Sequence, residues 1–154
     1  MKTEYINSFL QGTQSVIRDI CGETTNLGRL YEKGLPYETD QVNVSIGIGG
    51  QLKGHAIFEM DVDSAAYIAS KFIGMAVEEL DELSQSAVSE IMNMISGTVA
   101  SNFFAMGLNI DITTPMLKLN AGSDDFGFIQ PEQRIMCLPL RFKNGRAFNV
   151  NVVL

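Results

Sequence analysis

Residues 134–154 alternate apolar and polar side chains on either side of Asn144-Gly145. Alternation places every second side chain on one face of a strand, and Asn-Gly is typical of a type I′ turn between two strands. The segment therefore predicts a β-hairpin with one buried face. That face consists of Met136, Leu138, Leu140, Phe142, Phe148, Val150, Val152 and Leu154. Because an isolated hairpin is marginally stable in water, the rest of the chain must cover this face.

A second hairpin and three helices are predicted upstream. Residues 42–48 alternate like a strand, Gly49-Gly50 interrupts them, and residues 54–60 return as the partner strand. Apolar side chains at helical spacing predict helices over 4–21, from a cap at Asp61 or Asp63 to 73, and over 82–106, each followed by a glycine that suits a helix C-terminus. Short extended pieces are predicted at 27–31 and at 111–119, where Pro115 favours an edge or a bulge.

Both halves of the chain show the same order of elements, which is a helix, an extended piece and a hairpin. Thr24-Thr25-x-x-x-Arg29-Leu30 is echoed by Thr113-Thr114-x-x-x-Lys118-Leu119. The expected fold is α+β in two layers, with long helices packed on a largely antiparallel sheet and an internal duplication. Residues 1–154 are expected to form one domain, since a chain of this length can bury a single core.

The charge balance argues against several kinds of partner. A net charge of −7 and a pI near 4.6 disfavour nucleic acid and anionic membranes and favour a partner with exposed lysines or arginines. With neither a transmembrane-length apolar run nor a visible secretory signal, we expect a cytoplasmic protein. Cys21 and Cys137 are expected to be buried thiols, and His55, the single histidine, is expected to be structural. The sequence predicts no metal site.

The predicted helix over 82–106 carries a narrow polar stripe. Ser86, Glu90, Asn93 and Gly97 are spaced by four, three and four residues, so at about 100° per residue they lie within about 60° of one another. Ala100 and Ser101 flank this stripe. The opposite side of the helix is apolar and consists of Val88, Ile91, Met92, Ile95, Val99 and Met106. The helix is therefore expected to dock its apolar side and to point Glu90 and Asn93 away.

An ordinary solvated face and a surface for a partner are both compatible with such a stripe. Solvated helix faces usually carry lysine or arginine, and none occurs between Ser86 and Met106. The exposed side instead consists of Ser, Gly, Thr and Ala, although glycine inside a helix costs about 1 kcal/mol relative to alanine. Small residues around two polar ones indicate a surface that another backbone can approach closely.

An acid and an amide side by side allow only limited chemistry. The amide cannot act as a base, but it can donate and accept hydrogen bonds at once, as is needed to hold a water in line with a phosphoryl group. The carboxylate can serve as an acid–base group or as an anchor for a cation. Because the chain offers neither a metal cluster nor a phosphate-binding loop, a substrate would have to bring its own phosphoryl group and Mg²⁺.

Ser86-x-x-x-Glu90-x-x-Asn93, followed by Gly97 and Pro115, resembles the motif of the CheC/CheX/FliY phosphatases, and most closely that of CheX. The resemblance implies hydrolysis of the phosphoaspartate of the response regulator CheY in chemotaxis. It implies that Asn93 orients the attacking water and that Glu90 pairs with the active-site lysine of the receiver domain. Ser86 occupies a position where the family has Asp or Ser, whereas Thr98 stands where many members have Asn.

The resemblance also implies partners and a rival function. It predicts a homodimer formed through sheet edges, with no cofactor beyond the Mg²⁺ carried by the receiver. Asn7-x-x-x-Gln11-x-x-Gln14 in the first helix has the same spacing without the acid and is a candidate relic of a second site. The rival is a non-catalytic receiver-binding or flagellar-switch-like module that uses the same helix only to dock. A small-molecule-binding domain is a second rival, which requires a deep apolar pocket.

Overall fold

The computed structural model describes residues 1–154 as three α-helices packed on one face of an eight-stranded sheet. The helices are α1 (Thr3–Cys21), α2 (Val62–Ile73) and α3 (Glu82–Ala105). The strands are β1 (Asn26–Leu27), β2 (Tyr31–Lys33), β3 (Val42–Gly50), β4 (Gly54–Met60), β5 (Ile110–Ile112), β6 (Met116–Leu119), β7 (Ile135–Arg141) and β8 (Ala147–Val153). The α+β prediction is confirmed. No helix is both long and apolar enough to span a membrane.

The sheet topology supports the predicted internal duplication. Its strand order is β1–β7–β8–β4–β3–β5, with β2 also on β7, β6 also on β3, and every pair antiparallel. Each half contributes a hairpin to the centre of the sheet and places its two short strands beside the hairpin of the other half. The threonine echo is not part of this equivalence, because Thr24-Thr25 precede β1 whereas Thr113-Thr114 follow β5.

The main core lies between the helices and one face of the sheet. Every apolar residue predicted for the buried face of the terminal hairpin belongs to this core, with Met136 and Leu154 only partly buried. A smaller cluster on the other face is covered by loop residues such as Tyr37 and Phe126. Cys21 and Cys137 are buried free thiols, as predicted.

Two local predictions were wrong in detail. Each predicted short extended piece is divided into two strands, β1 with β2 and β5 with β6. The Asn144-Gly145 turn is not type I′, because only Gly145 has a positive φ, of 89°. Gly145 N–H donates to Phe142 C=O at 3.0 Å, which closes a type I turn, and the glycine then forms a bulge. The loop therefore has three residues instead of two.

A buried ionic network stabilises the sheet face opposite the helices. The Glu59 carboxylate is buried, pairs with Lys33, and accepts hydrogen bonds from Tyr37 Oη at 2.9 Å and Asn149 Nδ2 at 3.0 Å. Burial raises the pKa of this carboxyl, but the hydrogen bonds and the charge of Lys33 outweigh burial and leave the pKa below its ordinary 4.5. The charged form of Glu59 therefore stabilises the native state.

We expect Glu59→Gln to lower the free energy of unfolding at pH 7 by about 3 kcal/mol, because Lys33 would keep its charge without a counter-ion. A depressed pKa gives stability that is present above the unfolded pKa and is lost as pH falls through the folded pKa. The difference between wild type and variant should therefore shrink below about pH 4.5. Urea unfolding at pH 7 and at acidic pH measures both effects.

Glu32→Gln is the matched control, because the Glu32–Arg134 pair is about half exposed on both sides. We expect this control to change stability by less than about 1 kcal/mol. Equal stability of wild type and Glu59→Gln at pH 7 would contradict the role assigned to the network.

Candidate functional site

Helix α3 begins and ends at recognisable caps. The Asp81 carboxylate accepts hydrogen bonds from the Ser84 hydroxyl and from Ser84 N–H, the latter at 2.9 Å, and these two bonds lower the pKa of the Asp81 carboxyl. A negative charge at this end also suits the positive end of the helix dipole. Gly107 follows the helix with a φ of 85°, a conformation that favours glycine. Met106 is the C-cap residue, and its Sδ accepts a hydrogen bond from the buried Ser8 Oγ of α1 at 3.9 Å. It therefore lies on the predicted side of the helix but is 40% exposed and not buried.

Helix α1 holds the apolar side of α3 from behind. The Phe103 ring packs edge-on against Tyr5 and Phe9, with centroids 5.3 and 5.8 Å apart. A Cβ at Gly12 would lie 2.8 Å from Val99 Cγ2, so glycine is what allows the two helices to approach so closely. Asn102 Nδ2 also donates to the Ser8 C=O at 3.2 Å. These contacts fix the rotation of α3 and hence the direction of its other face.

The predicted stripe is the free face of α3. Ser86 and Glu90 are exposed, and Asn93 and Gly97 are partly exposed. Neither Glu90 nor Asn93 makes a side-chain hydrogen bond or an ion pair within the chain. A Cβ at Gly97 would meet nothing within 4 Å. Glycine at this position is therefore not required by packing inside the chain, and the two polar groups are available to a partner.

The two flanking residues differ in their environment. Ser101 is exposed, and its hydroxyl donates to the Gly97 C=O at 3.2 Å, which covers a carbonyl of the same helix. Ala100 is only partly exposed and packs against the main core. Ser101 thus extends the stripe more than Ala100 does.

An open depression of about 510 Å³ lies beside the N-terminal half of the stripe. Its α3 wall contains Glu82, Gln85, Ser86, Ser89 and Glu90, and Pro115 and Leu117 form the other wall. The motif proline thus lies across a groove from the motif serine and glutamate. The sequence pattern included Pro115 in the family motif and placed it at an edge or a bulge of its strand, but Glu82, Gln85 and Ser89 were missed as groove residues. Pairing of β6 with β3 creates this wall, and no local pattern on α3 indicates it.

The surroundings of the stripe are strongly acidic. No lysine, arginine or histidine occurs between Lys71 and Lys118, whereas Glu78, Glu79, Asp81, Glu82, Glu90 and Asp111 lie in that interval. Such a concentration of negative charge attracts a partner that is positively charged where it touches α3. Across the chain, no three His, Cys, Asp or Glu side chains come together as metal ligands would.

His55, which sequence analysis expected to be structural, packs its ring against Phe128 with centroids 4.1 Å apart. Burial lowers the pKa of this imidazole. It lies on β4, in the sheet, and lines neither the stripe nor the groove beside it.

The first-helix spacing does not align with the stripe. When the halves are aligned on the positive-φ glycines that follow the helices, Gly22 and Gly107, Tyr5 and Ser8 correspond to Glu90 and Asn93. Tyr5 packs on Phe103, and Ser8 is buried and donates to the Glu4 C=O. Asn7, Gln11 and Gln14 therefore occupy other positions, and this alignment does not support a relic site.

The family model for the chemotaxis phosphatase CheX matches residues 42–124, which include α3, the stripe and Pro115. The chain belongs to the CheX family. A curated relative, the CheY-P phosphatase CheX of Thermotoga maritima, is 29% identical over 119 residues, covering 75% of each chain.

Solved CheX structures share the whole fold. CheX from Desulfovibrio desulfuricans superposes with a TM-score of 0.82 at 19% identity, covering 98% of this chain and 99% of that one. The CheX of a CheX-CheY-BeF3-Mg²⁺ complex from Borrelia burgdorferi gives a TM-score of 0.79 at 24% identity, covering 97% and 96%. At these identities the likeness establishes the fold, which is the CheC-like fold expected from the sequence.

Proposed function

We propose that this chain is a chemotaxis phosphatase that hydrolyses the phosphoaspartate of a CheY-type response regulator. The observation that carries the proposal is the free Glu90–Asn93 pair on a cation-free face of α3, in a chain that belongs to the CheX family. The relative named as a CheY-P phosphatase supports the same activity. The acidic surroundings of the stripe also suit a substrate that presents a lysine at its active site.

Asn93 and Glu90 have separate roles in this proposal. The Asn93 amide binds the attacking water, accepting one hydrogen bond from it and orienting it in line with the phosphorus. The water oxygen forms the new bond to phosphorus, the bond to the aspartyl oxygen breaks, and inorganic phosphate leaves with the protons of the water. Glu90 forms an ion pair with the receiver lysine and so sets the position of α3. The phosphoaspartate and Mg²⁺ belong to the receiver.

The remaining stripe residues bind the partner by offering little bulk. Ser86, Gly97, Ala100 and Ser101 let the receiver backbone approach α3 closely enough for Asn93 to reach its active site. Ser86 also lines the groove next to Pro115, so a receiver loop can enter between them. We place this encounter in the cytoplasm.

Substitution of Gly97 separates stability from binding. Gly97→Ala should raise the free energy of unfolding by about 1 kcal/mol, because its Cβ meets open space and alanine favours helix. Gly97→Leu should fold as well as wild type yet reduce stimulated dephosphorylation at least about tenfold, since its side chain occupies the space of the receiver backbone. Urea unfolding and phosphate release measure the two effects, and full activity of Gly97→Leu would refute the close approach.

The homodimer is also a proposal. Strand β6 lies at the edge of the sheet and exposes Met116 and Leu119, an arrangement that favours pairing with a second chain. Sedimentation equilibrium tests it, and a monomer over the full concentration range would exclude the dimer.

One assay separates the phosphatase from the rival docking module. Phosphate release from a phosphorylated CheY receiver is compared with and without the chain, alongside a binding measurement. The phosphatase accelerates release, whereas the module binds without accelerating it. The small-molecule rival requires a deep apolar pocket, whereas the depressions of about 540 and 510 Å³ are open and lined mainly by polar residues.

A further inference from the structure

The three most exposed large apolar side chains of the protein lie at the two ends of α3. Met75 is 67% exposed and Leu83 65% exposed at the N-terminal end, and Phe104 is 70% exposed at the C-terminal end. None of them belongs to either core cluster. Met75 and Leu83 line one open depression of about 360 Å³. About two thirds of the surface of each side chain therefore remains open to solvent or to a partner.

Leu83 and Phe104 share the face of the stripe. Leu83, Glu90, Gly97 and Phe104 recur every seven residues, so neighbouring members of the series differ by only about 20° around the helix axis. The sequence pattern contained this series, but the apolar residues at its ends were not recognised as part of the stripe.

The spacing along the helix matches a partner centred on Asn93. Leu83 and Phe104 are about 31 Å apart at 1.5 Å per residue, and Asn93 lies about 15 Å from Leu83 and 16 Å from Phe104. A small domain is about 30 Å across. A domain whose reactive centre sits over Asn93 would therefore reach both ends of the helix.

We propose that Leu83 and Phe104 are the apolar anchors by which this chain docks the receiver domain, one at each side of its phosphorylation site. The occupant is the receiver itself, with apolar side chains flanking a cationic centre. Charge complementarity selects it, because the helix residues between the anchors include the carboxylate of Glu90 and no cation, and Glu78, Glu79, Asp81 and Glu82 directly precede Leu83 in the chain. The inference rests on the proposed function, which supplies the receiver as the partner.

The anchors act on binding and not on the chemical step. We expect Leu83→Ala and Phe104→Ala each to raise KM about tenfold, and the double variant about a hundredfold, with kcat within about twofold of wild type. The substrate is a CheY receiver phosphorylated by acetyl phosphate with Mg²⁺. The Kd for the same receiver with beryllofluoride and Mg²⁺ should rise by the same factors. Alanine keeps the helix propensity, and urea unfolding verifies that each variant is folded.

Val62→Ala is the matched control, because Val62 is also an exposed apolar residue but lies in the first turn of α2. Its neighbour Ser64 accepts a hydrogen bond from Ala147 N–H at the start of β8. Unchanged KM and Kd in both anchor variants would overturn the proposal. So would unchanged receiver binding accompanied by weaker self-association, because a second copy of the chain would then cover the anchors.

The measurement of Kd makes the two proposals separable. One outcome is that wild type binds the receiver and both anchor variants bind it more weakly, but phosphate release is never accelerated. The anchor proposal is then supported and the phosphatase proposal is refuted. The opposite outcome is that Asn93→Ala abolishes the acceleration of phosphate release, while the anchor variants bind the receiver with the wild-type Kd. The phosphatase proposal is then supported and the anchor proposal is refuted.

Discussion

Asn93→Ala should lower the stimulated rate of phosphoaspartate hydrolysis by about 10²–10³-fold, as the loss of one positioned polar group in an active site typically does. This substitution removes no contact within the fold that involves a hydrogen bond, because the Asn93 side chain is partly exposed and has no hydrogen-bond partner within the chain. Folding should therefore be unaffected, and receiver binding should change little. Phosphate release at saturating phosphorylated receiver measures the loss as a fall in kcat.

Asn7→Ala is the matched control for this variant. Asn7 is an exposed asparagine on the long helix α1. In the alignment of α1 with α3, it does not correspond to Glu90 or Asn93. We expect wild-type rates for Asn7→Ala. If a folded Asn93→Ala protein dephosphorylates the receiver at the wild-type rate, the catalytic role of Asn93 is refuted. The docking module is then the better explanation.

Glu90→Lys should lower kcat/KM by at least about 10²-fold, through a higher KM. The substitution removes the anchor for the receiver lysine and places a like charge against it, and such juxtapositions cost several kcal/mol. Because Glu90 is exposed and takes part in no ion pair of the isolated chain, the stability of the fold should be nearly unchanged. Steady-state phosphate release over a range of receiver concentrations separates KM from kcat.

Glu132→Lys changes the net charge by the same amount at an exposed loop residue away from α3. We expect this control to change kcat/KM less than about threefold, through the weaker overall attraction of the acidic chain for its partner. Equal losses in the two variants would mean that Glu90 acts only through net charge, which would contradict a specific ion pair.

The two substitutions report on different parts of one proposed encounter. Loss of Asn93 removes an interaction made with the attacking water, so it is expected in kcat. Loss of Glu90 removes an interaction that positions the two proteins, so it is expected in KM. A chain whose own residues supply only an amide and a carboxylate can be catalytic because the receiver brings the phosphoryl group and the metal.

The residue pattern was sufficient for features that depend on local geometry. Helical angle alone placed Ser86, Glu90 and Asn93 on one face, and the exposures of the three residues agree with that placement. Alternation placed both central hairpins and the face of the terminal hairpin that packs under the helices, since adjacent strand residues must point to opposite sides. It did not predict that the other face is also buried, as Ile135, Cys137 and Val153 are. The type of the turn at Gly145 was missed because turn type depends on the φ of single residues. Asparagine can adopt either sign of φ, and the φ of Asn144 is not positive.

The sequence by itself thus determined the hairpins, the long helix and the direction of its polar stripe, because these follow from short-range periodicity. Only the tertiary structure decided that β6 pairs with β3 and forms a wall opposite Ser86 and Glu90. It also decided that Gly12 is required for helix packing whereas Gly97 faces open space, although both are glycines inside long helices. Such differences depend on which distant segments meet, and contacts between distant segments leave no periodic trace in the chain.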